Sequence, residues 1–306
     1  MDDARTRRSF IEAGLSAVDF VYANFKNCGR LGPAVLVSKK MDNVGGNMNN
    51  VKLSDRLQQL LEQIPQGSRL ADIGSDHALL PVAAVESGKA VFAVAGEVNP
   101  GPFDAACKGV AEAGLGKVIS VRRGDGLEVL EPGEMNCITI AGMGGALIAS
   151  ILDRGQSQGK LKDVTTLVLQ PNVGEDILRR WLLNNEWVLT AESILEEDGK
   201  LYEVLTAVPE DPGAGITNAN VYREVTLGDS AVVRGQDTLL QMGPFLIQAP
   251  NEVFFAKWQG EIQKLEGILT SLSRSELESA ENKRKLIRDQ IKEITEVLQC
   301  LPKDKQ

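Results

Sequence analysis

From Leu53 to about residue 210 the sequence alternates short apolar runs with longer amphipathic stretches, a pattern few architectures accept. Strands are expected at 69–73, 91–96, 118–122, 137–141 and 165–169, with helices at about 78–87, 102–114, 145–153 and 174–185 between them. Leu53, Leu57, Leu60, Leu61 and Ile64 mark one more helix ahead of the first strand, with Ser54 near its start. Regular alternation at this spacing predicts a parallel sheet with helices on both faces. Two further strand-like runs, 187–194 and 201–208, are joined by Glu196-Glu197-Asp198-Gly199-Lys200. An Asp-Gly turn there makes a hairpin, adding an antiparallel edge to the parallel sheet.

Each expected strand ends in glycine, acid or amide residues. The first runs into Ala71-Asp72-Ile73-Gly74-Ser75-Asp76-His77, which holds the one histidine among 306 residues. Gly74 lets a backbone come close, and the following helix start turns N–H groups toward a ligand. Acids on both sides of the turn favour a cationic ligand over a pyrophosphate. That points to S-adenosylmethionine, a sulfonium with an amino-acid tail, rather than NAD. Glu97, followed by Val98, ends the second strand about 20 residues beyond the first turn, where an acid accepts hydrogen bonds from a ribose diol. A plain surface acid at a strand end is the alternative.

Gly124-Asp125-Gly126 follows the third strand, and Asp125 is placed to accept from an adenine amine, although Gly-Asp-Gly is also ordinary turn chemistry. Ala141-Gly142-Met143-Gly144-Gly145 leaves the fourth strand, clearing side chains where a ligand meets backbone. Gln170-Pro171-Asn172 leaves the fifth, and its two amides can read a base edge. Five such signals at successive carboxyl ends coincide with the ligand face of an open α/β sheet. A nicotinamide enzyme is disfavoured, because GSDHAL supplies no G-x-G-x-x-G. The intact set of rim motifs speaks against a non-catalytic adaptor.

Composition narrows the rest. No apolar run is long enough to span a membrane, and no signal-peptide pattern opens the chain. Four scattered cysteines and a single histidine give no zinc pattern, so no metal and free cytosolic thiols are expected, with a cytoplasmic location. The net charge is −9, and residues 52–210 carry 14 basic against 23 acidic side chains. A nucleic-acid partner must therefore meet local basic patches. Arg179 and Arg180, beside Trp181, form one candidate patch, with Trp181 itself expected in the core.

The runs LADIGSDHALLP, AGEVNPGPF, GDGL, ITIAGMGG, LQPNVGEDILRRWL and ILEEDGKLYEVL resemble the bacterial tRNA adenine-22 N1-methyltransferase family. The similarity spans roughly residues 52 to 300. It implies a class I, Rossmann-like methyltransferase fold and methyl transfer to N1 of an adenine in the D-arm region of tRNA. It gives cofactor roles to Asp72, Gly74, Ser75, Glu97, Val98, Asp125 and Gly126, and sets Ala141, Gly142 and Met143 beside the methyl-transfer site. Asp76, Gln170 and Asn172 are expected to position the base. His77 either contacts the base or holds the helix start and packs against the cofactor. No protein partner is evident.

Beyond residue 250 the period changes. Trp258, Ile262, Leu265, Leu269 and Leu272 continue into Leu277, Ala280, Ile287, Ile291, Ile294, Leu298 and Leu301, with Arg284 as a polar interruption and Ser273 to Glu276 as a break. This predicts an antiparallel coiled-coil hairpin. Lys283, Arg284, Lys285 and Arg288 are either tRNA phosphate contacts or a solvated helix face. The expected domains are an extension at 1–50, a methyltransferase domain at 51–210, and a linker with a tRNA-positioning coiled coil at 211–306. The extension holds a short amphipathic helix (Ile11, Leu15, Val18, Tyr22, Phe25) and is expected to be dispensable, with Met41 or Met48 as candidate native starts.

Overall fold

The computed structural model describes residues 53–228, 232–272 and 278–302. The extension at 1–50, with its expected helix, and the break at Ser273 to Glu276 lie outside these residues. The described chain forms two compact units: residues 53–193 with 202–221, and residues 194–201 with 222–302.

The first unit opens with α1 (Asp55–Gln63), whose start is fixed by Ser54 Oγ accepting from Leu57 N at 3.3 Å. Its Leu60 and Leu61 are buried. There follow β1 (Ser68–Ile73), α2 (Leu79–Glu86), β2 (Ala90–Glu97), α3 (Pro100–Glu112), β3 (Ile119–Arg123) and β4 (Cys137–Gly144). After them come α4 (Gly145–Ser157), β5 (Thr166–Val173), α5 (Glu175–Asn184), β6 (Trp187–Glu197) and β7 (Lys200–Pro209), then the short α6 (Asn218–Val221). The strand order is β3-β2-β1-β4-β5-β7-β6, with β1, β2, β3, β4 and β5 mutually parallel and β7 antiparallel to β5. This is a doubly wound, Rossmann-like sheet. The order reverses between β1 and β4, which opens a crevice at their carboxyl ends.

Central strands read as continuous apolar runs because both faces are covered. Leu70, Ala71, Ile138, Ile140, Leu167, Val168 and Leu169 are all fully enclosed. The expected hairpin is present, with a two-residue turn in which Asp198 (φ 51°) and Gly199 (φ 70°) are both left-handed, as the twist of paired strands demands. Its second strand, not its first, pairs with β5, so β6 lies outermost. One close approach fixes the loop after β1: a methyl at Gly109 of α3 would lie 2.6 Å from the carbonyl oxygen of His77.

The second unit contains the hairpin tip (194–201), the antiparallel pair β8 (Val225–Leu227) and β9 (Val232–Arg234), α7 (Gln236–Met242) and α8 (Pro244–Gln248). Two long helices follow, α9 (Glu252–Leu272) and α10 (Glu278–Cys300). Residues expected as linker are thus ordered structure, with Leu239, Leu240, Met242, Leu246 and Ile247 buried. Asn251 caps α9 by accepting from Phe254 N (2.9 Å) and ties the hairpin tip by donating to Ile194 O (3.1 Å). The long helices pack together. α10 has other polar neighbours as well: Arg234 pairs with Glu296 at 2.7 Å, and Thr238 donates to Glu293. The compact units part at 221/222 rather than at the expected 210/211.

Candidate active site

Three carboxylates stand at successive strand ends, each in a different setting. Asp72 is 7% exposed, and its Oδ1 accepts from Thr139 Oγ1 of β4 at 2.6 Å. Burial raises its pKa above the ordinary 3.8, while the Ser75 and Thr139 side chains and the charge of Arg56 pull it back. A buried anion of this kind is a ready partner for a cationic or N–H-bearing ligand. The loop beyond it is tied to β2, since Gly74 N and Ser75 N both donate to Gly96 O (2.9 and 3.1 Å). Gly74 has φ +78°, and a methyl there would lie 2.3 Å from Met143 Cε, so the Met143 side chain of β4 packs directly against this glycine.

Glu97 is also 7% exposed. Its Oε1 accepts from the backbone N (2.8 Å) and the side-chain amide (3.2 Å) of Asn99, which orients the carboxylate. Val98, next in line, is exposed. Asp125 differs: it is half exposed and its Oδ2 pairs with Arg154 of α4 at 3.1 Å. Gly126 behind it is buried and left-handed, beginning a short 3₁₀ turn.

The β4–β5 side of the rim is a closed lattice of amides. Gln170 is fully buried. Its Oε1 accepts from Arg56 Nη1 (2.8 Å) and Gly142 N (3.2 Å), and its Nε2 donates to Pro171 O (2.8 Å) and Asn172 Oδ1 (3.1 Å). Both donors and both lone pairs are thereby engaged, so Gln170 cannot also read a base, contrary to the sequence expectation. Asn172 is exposed, and its Nδ2 donates to Gly142 O at 2.8 Å. Among the described residues, one N–H and one lone pair of that amide stay unengaged. Ala141, Gly142 and Met143 form the loop this lattice holds.

The other expected site residues separate. Asp76 and His77 are both exposed, with the carboxylate 3.5 Å from Nε2. His77 and Ala78 have left-handed backbones, φ 59° and 54°. His77 lines a hollow of about 280 Å³ with Leu79, Val82 and Glu86 of α2 and Glu112 of α3. His77 sits with that helix pair, and the start of α2 carries no side-chain cap bond.

Arg179 is no surface contact. It is fully enclosed, with Nε 2.6 Å from Glu192 Oε1 and Nη2 bonded to Glu203 Oε2. Its phase explains this, since Leu178 and Leu182 are the buried face of α5. Arg180 is exposed and Trp181 half-buried. In the second unit, Lys283, Lys285 and Arg288 are exposed, but Arg284 is only 15% so. Its Nη1 caps the end of α9 at Leu272 O (2.7 Å) and its Nε binds Glu281 (2.8 Å), which holds the Glu281 carboxyl below its usual range.

Arg56, Thr139, Asn99 and Arg154 were not anticipated. Arg56 had a signal: it is a cation in the first turn of a helix, where the dipole opposes positive charge. The set fits S-adenosylmethionine: an enclosed acid at Asp72, an oriented acid at Glu97 and a left-handed glycine turn at Gly74. Among the described residues, no group of three or more His, Cys, Asp or Glu is placed to hold a metal, and no helix is long and apolar enough to cross a membrane.

The sequence model of the tRNA (adenine(22)-N(1))-methyltransferase family matches residues 70–296. The tRNA (adenine(22)-N(1))-methyltransferase of Bacillus subtilis is 45% identical over 253 residues, covering 82% of this chain and 99% of that one. The crystal structure of the B. subtilis M1A22 tRNA methyltransferase superposes with a TM-score of 0.69 at 43% identity, over 81% and 99% of the two chains. A putative tRNA (m1A22) methyltransferase of Streptococcus pneumoniae, solved in complex with S-adenosyl-L-methionine, gives 0.66 at 40% identity, over 81% and 100%.

Proposed function

Because this chain belongs to the tRNA (adenine(22)-N(1))-methyltransferase family, we propose that its first unit transfers a methyl group from S-adenosylmethionine to N1 of adenine 22 in tRNA. The observation that carries the reading is the rim itself. Acids end β1 and β2, and a glycine-amide lattice ends β4 and β5, on both sides of the switch point.

S-adenosylmethionine supplies an electrophilic methyl group. Asp72, Gly74 and Ser75 hold its amino-acid end, Glu97 accepts from the ribose hydroxyls, and Asp125 with Gly126 and Val98 borders the adenine. Neutral adenine has a lone pair at N1, so no residue is needed to remove a proton before attack. The chain's task is alignment, worth several kcal/mol and about 7–11 kcal/mol in favourable cases. The unengaged lone pair of Asn172 accepts from the exocyclic amine of the target base. As the base gains positive charge, that bond strengthens, and the exposed Asp76 carboxylate adds a favourable field. Gln170 braces Asn172 and Gly142, and His77 shapes the loop between β1 and α2.

The second unit positions tRNA, with Lys283, Lys285, Arg288 and, from the first unit, Arg180 as phosphate contacts. Residues 1–50 carry none of these motifs and are dispensable for catalysis. The enzyme works in the cytoplasm, where its substrate is.

The test is methylation of a tRNA transcript carrying adenine at position 22, with mass-spectrometric mapping of the product. N1-methyladenosine at that position alone is expected, and none in a transcript carrying guanine there. Binding of NADH but not S-adenosylmethionine, or methyl groups elsewhere in the RNA, overturns the reading.

A further inference from the structure

Arg56 is a cation set against the amide lattice, and the lattice has two conceivable registers. In the observed one, Gln170 Oε1 faces two donors, Arg56 Nη1 at 2.8 Å and Gly142 N at 3.2 Å. Its Nε2 faces two acceptors, Pro171 O and Asn172 Oδ1. Turning the Gln170 amide over would bring Nε2 against the guanidinium and the Gly142 N–H, donor against donor. Without Arg56 the flip is opposed by Gly142 N, through a long bond of 3.2 Å, and by Pro171 O, which Oε1 would then meet acceptor to acceptor. The charged bond from Arg56 is shorter and stronger. The choice passes on to Asn172: because Nε2 donates to its Oδ1, its Nδ2 must turn to Gly142 O, as observed at 2.8 Å. Arg56 is steadied in turn by the ring of Tyr202, 5.4 Å from its guanidinium carbon.

We propose that Arg56 is a positioning residue of the methyl-transfer site, selecting through Gln170 the single amide register in which Asn172 meets the target base. The proposal rests on the reading of the rim as a methyl-transfer site. Arg56 touches neither the reacting atoms nor the methyl donor in this scheme, and its charge is the smallest of the influences on the Asp72 carboxyl. Its removal therefore acts on turnover more than on binding.

The variants are Arg56→Ala, Arg56→Lys, Gln170→Ala and the double variant Arg56→Ala/Gln170→Ala. In Arg56→Ala, kcat for tRNA methylation falls about ten- to a hundredfold, as expected for a misaligned reactant, with S-adenosylmethionine affinity and KM for tRNA near wild type. Arg56→Lys, which keeps one charged donor, recovers most of the loss. The double variant is no slower than Gln170→Ala, because the two residues act in series. Independently of activity, exchange of the buried Gln170 side-chain amide protons, followed by NMR, speeds up about tenfold or more in Arg56→Ala. Unchanged Gln170 exchange overturns the proposal. So does a kcat loss matched by an equal loss of cofactor affinity, or additive effects in the double variant. If the wild-type protein does not methylate tRNA, the functional reading falls, while the exchange measurement still decides whether Arg56 sets the register.

Discussion

Replacing Arg179 by Met tests how the sheet domain tolerates charge in its interior. The guanidinium, Glu192 and Glu203 are all enclosed, with side-chain exposures of 0, 0 and 1%. Arg179→Met has nearly the right volume, so no large cavity forms. What remains is a pair of buried carboxylates that have lost the cation shared between them. Breaking a buried ion pair from one side costs about 3–5 kcal/mol, because the leftover charge is neither solvated nor neutralised. For a domain of this size each kcal/mol lowers Tm by about 2–4 °C, which gives a fall of roughly 6–20 °C. Circular dichroism during thermal and urea unfolding reads this directly. The triple variant Arg179→Met/Glu192→Leu/Glu203→Leu removes all three charges together and should regain most of the loss, since apolar replacement of whole buried networks is often neutral or better. Below its transition, Arg179→Met should bind tRNA as the wild type does, because the guanidinium has no exposure. A stability loss under about 1 kcal/mol, or a selective loss of tRNA affinity with stability intact, would refute the assignment of Arg179 to the core.

Asp72→Asn should raise thermal stability at neutral pH while abolishing tight S-adenosylmethionine binding. The folded carboxyl titrates above its unfolded value of 3.8, so the folded state keeps its proton longer, and stability is lost as pH rises through the raised pKa. The Tm gain over wild type should therefore be larger at pH 7 than at pH 4, and calorimetry showing the reverse refutes the desolvation argument. Glu97→Ala should weaken S-adenosylmethionine binding by about 1–3 kcal/mol through unpaired ribose hydroxyls, measured by isothermal titration. Neutralising Lys283, Lys285 and Arg288 together should raise KM for tRNA and flatten its salt dependence with no change in cofactor affinity; an unchanged salt slope would make that run a solvated face. Arg284→Gln should instead lower thermal stability, since it uncaps α9 at Leu272.

The elements of the sheet were legible because central strands buried on both faces leave continuous apolar runs, and because each ends in glycine or a polar side chain at the ligand rim. The turn at Asp198-Gly199 was legible for a similar reason, as few other residue pairs accept two left-handed backbones. The strand exchange that puts β7 next to β5 was not, because periodicity reports that a strand exists and not which neighbour it pairs with. Arg179 was misread as surface because a doubled arginine suggests a basic patch, whereas its phase with Leu178 and Leu182 points inward. Arg284 was already marked as a polar interruption in an apolar series, and that position is why it turns to a helix end instead of to solvent. Arg56 escaped attention because attention fell on strand ends, while the lattice takes its cation from a helix that precedes the sheet.

The order β5-β7-β6 also bears on how the chain is made. As synthesis proceeds from the N-terminus, β1 to β5 can assemble as they emerge, each beside an earlier partner. The outer edge of β5 then stays unpaired, and β6 cannot cover it, because β6 needs β7 as its own support. Until Pro209 leaves the ribosome, Leu167, Val168 and Leu169 offer an apolar strand edge to any passing chain. The two-residue turn keeps the last part of that interval short, since β7 follows β6 at once and docks as a preformed hairpin. Substitutions that slow the turn, such as Gly199→Val, should therefore show first as aggregation of nascent protein, well before they register in the stability of the finished enzyme.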